Sequence, residues 1–81
     1  MENIHTSGED YLETILVLWN KQNGEVRSID VARELNVTKP SVSNAMKILR
    51  EGNFITMDEN GFITLTDAGR YVAEKIYEKH L

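Results

Sequence analysis

The segment from Thr38 to Arg50 has residue types and spacing that suit recognition of a nucleic acid. Short hydroxyl and amide side chains alternate there with basic ones: Thr38, Lys39, Ser41, Ser43, Asn44, Lys47 and Arg50. Hydroxyl and amide groups hydrogen-bond to phosphate oxygens and base edges, and an asparagine can bind adenine through two hydrogen bonds. Lys and Arg neutralise phosphate charge. The Thr38 methyl group or Pro40 could contact a thymine methyl group.

The distribution of charge places a DNA-binding face in the middle of the chain. The net charge of −4 argues at first against a nucleic-acid partner. However, residues 26–50 contain five basic and two acidic residues, a local charge of +3, whereas residues 1–20 contain four acidic residues and no Lys or Arg. Arg27 and Ser28 lie at the start of this basic region. We therefore add both to the predicted DNA-binding residues.

A helix must present the polar side chains of this segment outward. Thr38 is a typical N-cap, Pro40 is tolerated in a first helical turn, and Gly52 favours a helix end. Apolar residues at helical spacing predict the buried face: Val42, Ala45, Met46 and Leu49. Steps of about 100° per residue then place a second set outside: Pro40, Ser43, Asn44 and Lys47.

Two further helices are predicted before this one. The first runs from about Gly8 to Asn20, with Thr6 and Glu9 at the spacing of a capping box. A turn and a very short strand at 25–27 follow. The second helix has Ser28 as its N-cap, Asp30 in its first turn, an apolar row formed by Ile29, Ala32 and Leu35, and an end near Asn36.

Residues after Gly52 predict a hairpin and a final helix. Aromatic and β-branched runs at 54–57 and 62–65 flank an Asp-Glu-Asn-Gly turn, whose acidic tip would be repelled by phosphate. The last helix begins after Thr66, with Ala68, Tyr71, Val72 and Ile76 at helical spacing. The order of helix, short strand, helix, helix, two-stranded wing and helix predicts a mainly α winged helix-turn-helix.

Composition excludes several other classes of protein. A chain of 81 residues with 41% hydrophobic residues supports one modest core. It contains no Cys, which fits a cytoplasmic location, and its longest apolar run, Ile15 to Trp19, is too short to span a membrane. An enzyme is not expected, because a nucleophile and base pair would have to come from His5 and His80 near the two termini, and no phosphate-binding glycine loop is present.

Four segments carry a resemblance to a known family: EDYLETI at 9–15, RSIDVA at 27–32, VTKPSVS at 37–43 and LTDAG at 65–69. With them the chain resembles, over nearly all its length, the N-terminal part of the metal-dependent repressors related to the diphtheria toxin repressor, including the manganese-responsive transport regulators. The third segment is common among winged helices, so the first is the most specific. The resemblance implies a sequence-specific transcriptional regulator of operator DNA.

The same resemblance implies metal ligands. In the manganese-responsive members, the first helix supplies an Asp and a Glu three residues apart, and Asp10 and Glu13 match them. A His near the end of the helix after the wing is a further ligand, and His80 occupies that place. Carboxylates with one imidazole suit Mn²⁺ or Fe²⁺. Each residue also has a simpler role open to it: Asp10 can favour the helix dipole, Glu13 can be solvated, and His80 can be frayed.

Members of this family continue into a helical dimerisation domain with the remaining metal ligands. We therefore expect residues 1–66 to form the DNA-binding domain and residues 67–81 to start the linker or dimerisation helix, in a fragment of a homodimeric repressor with an incomplete, weak metal site. Two alternatives stay open. The chain could be a metal-independent winged-helix regulator, or a winged helix that binds another protein, for which its acidic ends would be suited.

Overall fold

The computed structural model describes residues 7–80, and within that range the chain forms four helices and one two-stranded antiparallel sheet. In chain order these are α1 (Gly8–Lys21), α2 (Ser28–Leu35), α3 (Lys39–Glu51), β1 (Ile55–Met57), β2 (Ile63–Leu65) and α4 (Asp67–Lys79). This is the predicted winged helix-turn-helix, with β1 and β2 as the wing. None of the helices in this range is long and apolar enough to cross a membrane.

The start of α1 differs by one residue from the predicted capping box. Ser7 is the N-cap, its hydroxyl accepts a hydrogen bond from the Asp10 amide at 3.3 Å, and Asp10 Oδ2 accepts one from the Ser7 amide at 3.1 Å. The prediction that Thr6 and Glu9 form the box is therefore wrong, because an N-cap directly precedes the first helical residue. Thr6 itself lies outside the described residues, as does His5.

The start of α2 also differs by one residue. Arg27 is the N-cap and Ser28 the first helical residue, so the assignment of Ser28 as the cap is wrong. The Asp30 carboxylate supplies the missing cap by accepting a hydrogen bond from the Arg27 amide at 2.9 Å. Of the predicted apolar row, Ala32 is buried and Leu35 packs against the core, whereas Ile29 is 44% exposed and Val31 is buried in addition. Helix α2 ends at Asn36, which adopts the left-handed conformation at a φ of 55°.

Residues 25–27 do not form the short strand that the sequence suggested. The Val26 carbonyl nevertheless accepts a hydrogen bond from the Ile63 amide at 2.8 Å. The segment before α2 is therefore fastened to the wing by this backbone bond. Val26 is also fully buried, which fixes the same point from the core side.

A single hydrophobic core joins the helices to the inner face of the wing. It draws on α1 through Leu12, Ile15 and Leu16, on α3 through Val42, Met46 and Leu49, and on the hairpin through Ile55, Ile63 and Leu65. Burial of each such side chain contributes about 1.5–3 kcal/mol. The core therefore fixes which face of α3 can point outward.

Helix α4 packs along α1 and against the wing. Its buried residues are Gly69, Ala73 and Ile76, and Val72 packs against the core, whereas Ala68 and Tyr71 of the predicted helical row are exposed. Gly69 allows a close approach, since the Phe54 carbonyl oxygen lies only 1.9 Å from the position a β-carbon would occupy there. This packing brings the end of α4 back beside α1.

The hairpin has a regular register with Ile55 opposite Leu65 and Thr56 opposite Thr64. The isoleucine and leucine side chains face the core and the two threonines face solvent. Asp58 Oδ1 accepts hydrogen bonds from the Asn60 and Phe62 amides, each at 2.9 Å, which orders the turn. Gly61 adopts a φ of 84°, a conformation that glycine reaches without strain.

Candidate nucleic-acid interface

Helix α3 begins with a compact cap, as predicted. Thr38 Oγ1 accepts a hydrogen bond from the Ser41 amide at 3.3 Å, and the Thr38 hydroxyl donates to Ser41 Oγ at 2.9 Å. Pro40 occupies the first turn, where its missing N–H is not needed. The Thr38 hydroxyl is therefore engaged in the cap, whereas its methyl group and the Ser41 hydroxyl hydrogen stay available to a ligand.

The outer face of α3 is polar, basic and exposed. Val42, Met46 and Leu49 are each at most 5% exposed and Ala45 is half-buried against the core. Polar side chains and Pro40 lie opposite or beside this face and are exposed: Lys39, Pro40, Ser43, Asn44, Lys47 and Arg50. Among residues 7–80, the hydrogen bonds and ion pairs involve none of the polar side chains in that exposed set. The predicted burial pattern is thus confirmed, while the DNA-binding role of these side chains stays a prediction.

Two exposed residues of α3 were not included in the predicted site. Ile48 is 58% exposed and adds a branched apolar group beside Lys47. Glu51 is also exposed and follows Lys47 by four positions, so it lies on the same side of the helix. The i, i+4 spacing alone could have identified Glu51 as an acidic group at the C-terminal end of the face.

Arg27 and Phe62 form a contact between the start of α2 and the wing. The Arg27 guanidinium carbon lies 4.4 Å from the centroid of the Phe62 ring, a cation–π distance. Arg27 is exposed and Phe62 is half-buried, while the neighbouring Ser28 is half-buried in the first turn of α2. The sequence contains no local signal for this pair, because the residues are brought together by tertiary contacts, among them the backbone bond between Val26 and Ile63.

The tip of the wing carries negative charge, as the sequence predicted. Asp58 and Glu59 are both exposed, and the turn contains no basic residue to offset them. Their carboxylates would repel a phosphate backbone. The wing tip therefore offers no electrostatic attraction to DNA, and any cation on this side of the domain must come from a neighbouring segment.

Two of the three predicted metal ligands meet at the α1–α4 contact. His80 Nδ1 lies 2.6 Å from Glu13 Oε2, with the Glu13 side chain 17% and the His80 side chain 59% exposed. The end of α4 therefore lies beside α1, as a metal site with ligands from both helices requires. The pair joins one carboxylate and one imidazole, which are ligand types that bind Mn²⁺ and Fe²⁺.

Asp10 is not part of this pair. It lies one helical turn before Glu13 and uses one carboxylate oxygen for the Ser7 amide. Over the described residues, no cluster of three or more His, Cys, Asp or Glu side chains is arranged to hold a metal ion. The donor types fit a divalent cation, and two of the three donors converge.

Comparisons with known proteins agree with this architecture. The sequence profile described as "Iron dependent repressor, N-terminal DNA binding domain" matches residues 3–62. An HTH-type transcriptional regulator of Methanocaldococcus jannaschii is 33% identical over 72 residues, which cover 89% of this chain and 58% of that protein. The transcriptional regulator MntR of Salmonella typhimurium is 34% identical over 74 residues, with 89% of this chain and 45% of MntR covered. The chain thus spans about half the length of these relatives.

Two solved structures of other regulators share this fold. A crystal structure of ScaR with bound Zn²⁺ matches with a TM-score of 0.74 and 27% identity, over 91% of this chain and 34% of the ScaR chain. A complex of Staphylococcus aureus MepR with DNA matches with a TM-score of 0.63 and 25% identity, over 88% of this chain and 57% of the MepR chain. Both likenesses cover the helices and the wing together.

Proposed function

Because the chain belongs to the iron-dependent repressor family, through its N-terminal DNA-binding domain, we propose that it binds operator DNA by inserting α3 into the major groove. The observation that carries the proposal is the exposed outer face of α3, set opposite a fully buried apolar face. Such a helix in a helix-turn-helix presents its N-terminal half to base edges. The regulator would act on transcription in the cytoplasm.

Individual side chains take different roles in this proposal. Asn44 is the candidate for reading a base, since its amide can both donate and accept. Lys39, Lys47 and Arg50 contact phosphates. Ser43 lies between these groups on the exposed surface. This division predicts that Asn44 controls sequence preference and the basic residues control salt-dependent affinity.

A charge-reversal experiment tests the DNA-binding face. A preferred duplex is first selected from random-sequence DNA by the parent chain, and binding is then measured by fluorescence anisotropy at low and moderate salt. The variant Asn44→Glu with Lys47→Glu is expected to lose binding, because it places two carboxylates against phosphate. The matched control Asn20→Glu with Lys75→Glu makes the same changes of residue type and charge on exposed positions of α1 and α4, and it should bind like the parent. Equal binding by the α3 variant would refute the assignment.

We further propose that the regulator responds to Mn²⁺ or Fe²⁺ through Asp10, Glu13 and His80. The contact between Glu13 and His80 and the hard oxygen donors support this choice, as do the iron in the family description and the Zn²⁺ in ScaR. A bound cation would supply positive charge at the α1–α4 contact, where further ligands from the rest of the regulator could join it. Glu13 and His80 hold two of the donors close together before any ion arrives.

Calorimetric titration with MnCl₂ tests the metal proposal. This chain is expected to bind Mn²⁺ weakly, because only two donors converge, and Glu13→Gln should abolish the heat of binding. Glu9→Gln removes an exposed acid from the same first turns of α1 and should change nothing. Tight stoichiometric binding by the parent would contradict the expectation of an incomplete site. Unchanged binding in Glu13→Gln would contradict the assignment of Glu13 as a metal ligand. In a complete regulator, DNA affinity that is insensitive to a chelator would identify a metal-independent regulator.

We also propose that residues 67–81 lead into a dimerisation domain and that the complete regulator is a homodimeric repressor. Exposed apolar side chains on α1 and α4 support this: Val17, Tyr71 and Tyr77. Two copies would place their α3 helices on the two half-sites of a symmetric operator. Sedimentation analysis should show a dimer for the complete regulator and a monomer or loose dimer for this chain. A monomeric complete regulator would contradict the proposal.

A further inference from the structure

We infer that Phe62 is a positioning residue for DNA binding, which holds the Arg27 guanidinium on the wing as a phosphate contact. The inference rests on the proposed DNA-binding function and extends it to a residue of the wing. The wing would then contribute to DNA affinity by holding a cation, the Arg27 guanidinium, that belongs to the start of α2. Its own tip, with Asp58 and Glu59, contributes none.

The backbone on both sides of the contact is fixed. On the Arg27 side, its amide donates to Asp30 Oδ2 at 2.9 Å, and the preceding Val26 carbonyl accepts from the Ile63 amide at 2.8 Å. On the Phe62 side, its amide donates to Asp58 Oδ1 at 2.9 Å and its carbonyl accepts from the Asp58 amide at 3.0 Å. Ordered backbone therefore holds the two residues side by side, and the Arg27 guanidinium lies over the Phe62 ring at 4.4 Å from its centroid.

The Phe62 ring has no place in the hydrophobic core. The inner face of the hairpin is provided by Ile55, Ile63 and Leu65, and the partly buried apolar side chains that pack against the core do not include Phe62. Phe62 is half-buried, but it is not among the side chains that pack against that core. Its recorded ring contact is the one to Arg27. A purely structural role for the ring is therefore poorly supported by the packing.

Stacking leaves the hydrogen-bonding edge of the guanidinium free. A guanidinium is planar, so one face can lie on an aromatic ring while the N–H groups in its plane donate to a phosphate. An arginine held in this way loses less conformational entropy when it binds. No carboxylate competes for it among the described residues, since the ion pairs there involve Arg33, Arg70 and His80. The arrangement suits a guanidinium that is already oriented to bind an anionic group such as a DNA phosphate.

A double-mutant cycle between the two residues tests the inference. Binding of a labelled mixed-sequence DNA duplex is measured by anisotropy over a range of salt concentrations for the parent, Phe62→Leu, Arg27→Met and the double variant. Phe62→Leu should weaken binding measurably but by no more than about two- to fivefold, since the energy of an exposed cation–π interaction is the upper limit of what holding the guanidinium in place can contribute. Arg27→Met should weaken binding more and reduce the slope of log K against log salt by about 0.9, the value of one phosphate contact. Phe62→Leu should leave that slope nearly unchanged.

The coupling between the substitutions is the decisive quantity. In the Arg27→Met background, Phe62→Leu should have no further effect, and Phe62→Tyr should restore parental affinity because it keeps an aromatic face. Thermal melting of each variant confirms that it is folded. An equal effect of Phe62→Leu in both backgrounds, or an unchanged salt slope in Arg27→Met, would overturn the inference. Those results would leave the proposed function intact if Asn44→Glu with Lys47→Glu still abolished binding, whereas a parent chain that binds no DNA would refute both.

Discussion

Gly69 allows α4 to pack closely against the segment that leads into the wing. A single methyl group added there should lower the stability of the domain. In Gly69→Ala, the new β-carbon would lie 1.9 Å from the Phe54 carbonyl oxygen, where real contacts are not closer than about 3.0 Å. The helix or the strand must move by more than an ångström. The same carbonyl accepts a hydrogen bond from the Thr66 amide at 3.0 Å, so the movement also stretches this bond.

The size of the effect follows from three contributions. Overpacking costs about 1–3 kcal/mol, and weakening the bond from the Thr66 amide to the Phe54 carbonyl costs about 1 kcal/mol. Alanine regains about 1 kcal/mol through its higher helix propensity. The free energy of unfolding should therefore fall by about 2 kcal/mol, which lowers the Tm of a domain of this size by roughly 8–16 °C.

Thermal unfolding monitored by circular dichroism measures this change, with Gly8→Ala as the matched control. Gly8 is also helical, but a β-carbon there would meet the Leu49 side chain at 3.7 Å, an ordinary contact. Gly8→Ala should leave the Tm unchanged or raise it slightly. If Gly69→Ala melted at the same temperature as the parent, the close packing of α4 on the wing would be refuted.

The other predictions concern charged and polar surface groups. Asp58→Ala should lower the free energy of unfolding by about 1 kcal/mol in chemical denaturation, since two backbone amides lose their acceptor; unchanged stability would show that the turn does not depend on it. Glu59→Gln should leave stability unchanged and strengthen binding of a mixed-sequence duplex at low salt about twofold, and weaker binding would argue that the tip approaches DNA productively. Glu51→Gln should likewise strengthen binding, by removing a carboxylate from the outer face of α3, and a loss of affinity would place that carboxylate in a useful contact. His80→Ala should change stability by less than about 0.5 kcal/mol, as expected for an exposed pair, yet remove the heat of Mn²⁺ binding; retained heat would exclude His80 as a ligand.

The sequence correctly predicted the elements whose structure depends on residues close together in the chain. The buried face of α3 follows from apolar residues at helical intervals, and Thr38 and Gly52 mark its ends in the sequence as they do in the structure. The hairpin follows from the change to β-branched residues around the turn at 58–61. In each case, the residues that decide the structure lie within a few positions of one another.

The capping box of α1 was predicted at Thr6 and Glu9, one residue before the box that Ser7 and Asp10 form. Other features that could not be predicted from the sequence depend on tertiary contacts between residues that are far apart in the chain. The inner face of α4 is centred on Gly69 because only glycine fits against the Phe54 carbonyl, which no periodicity reports. The pair of Arg27 and Phe62 depends on a backbone bond between distant segments.

Binding of DNA by the outer face of α3 can be observed residue by residue through NMR mapping. Amide signals of the isotope-labelled chain are assigned and followed while the selected duplex is added at low salt. If this face binds DNA, the largest shifts should fall on residues 38–50, with a second group at Arg27 and Phe62 and little change along the exposed surface of α1 and α4. Shifts concentrated at Val17, Tyr71 and Tyr77, with α3 unperturbed, would contradict binding by this face.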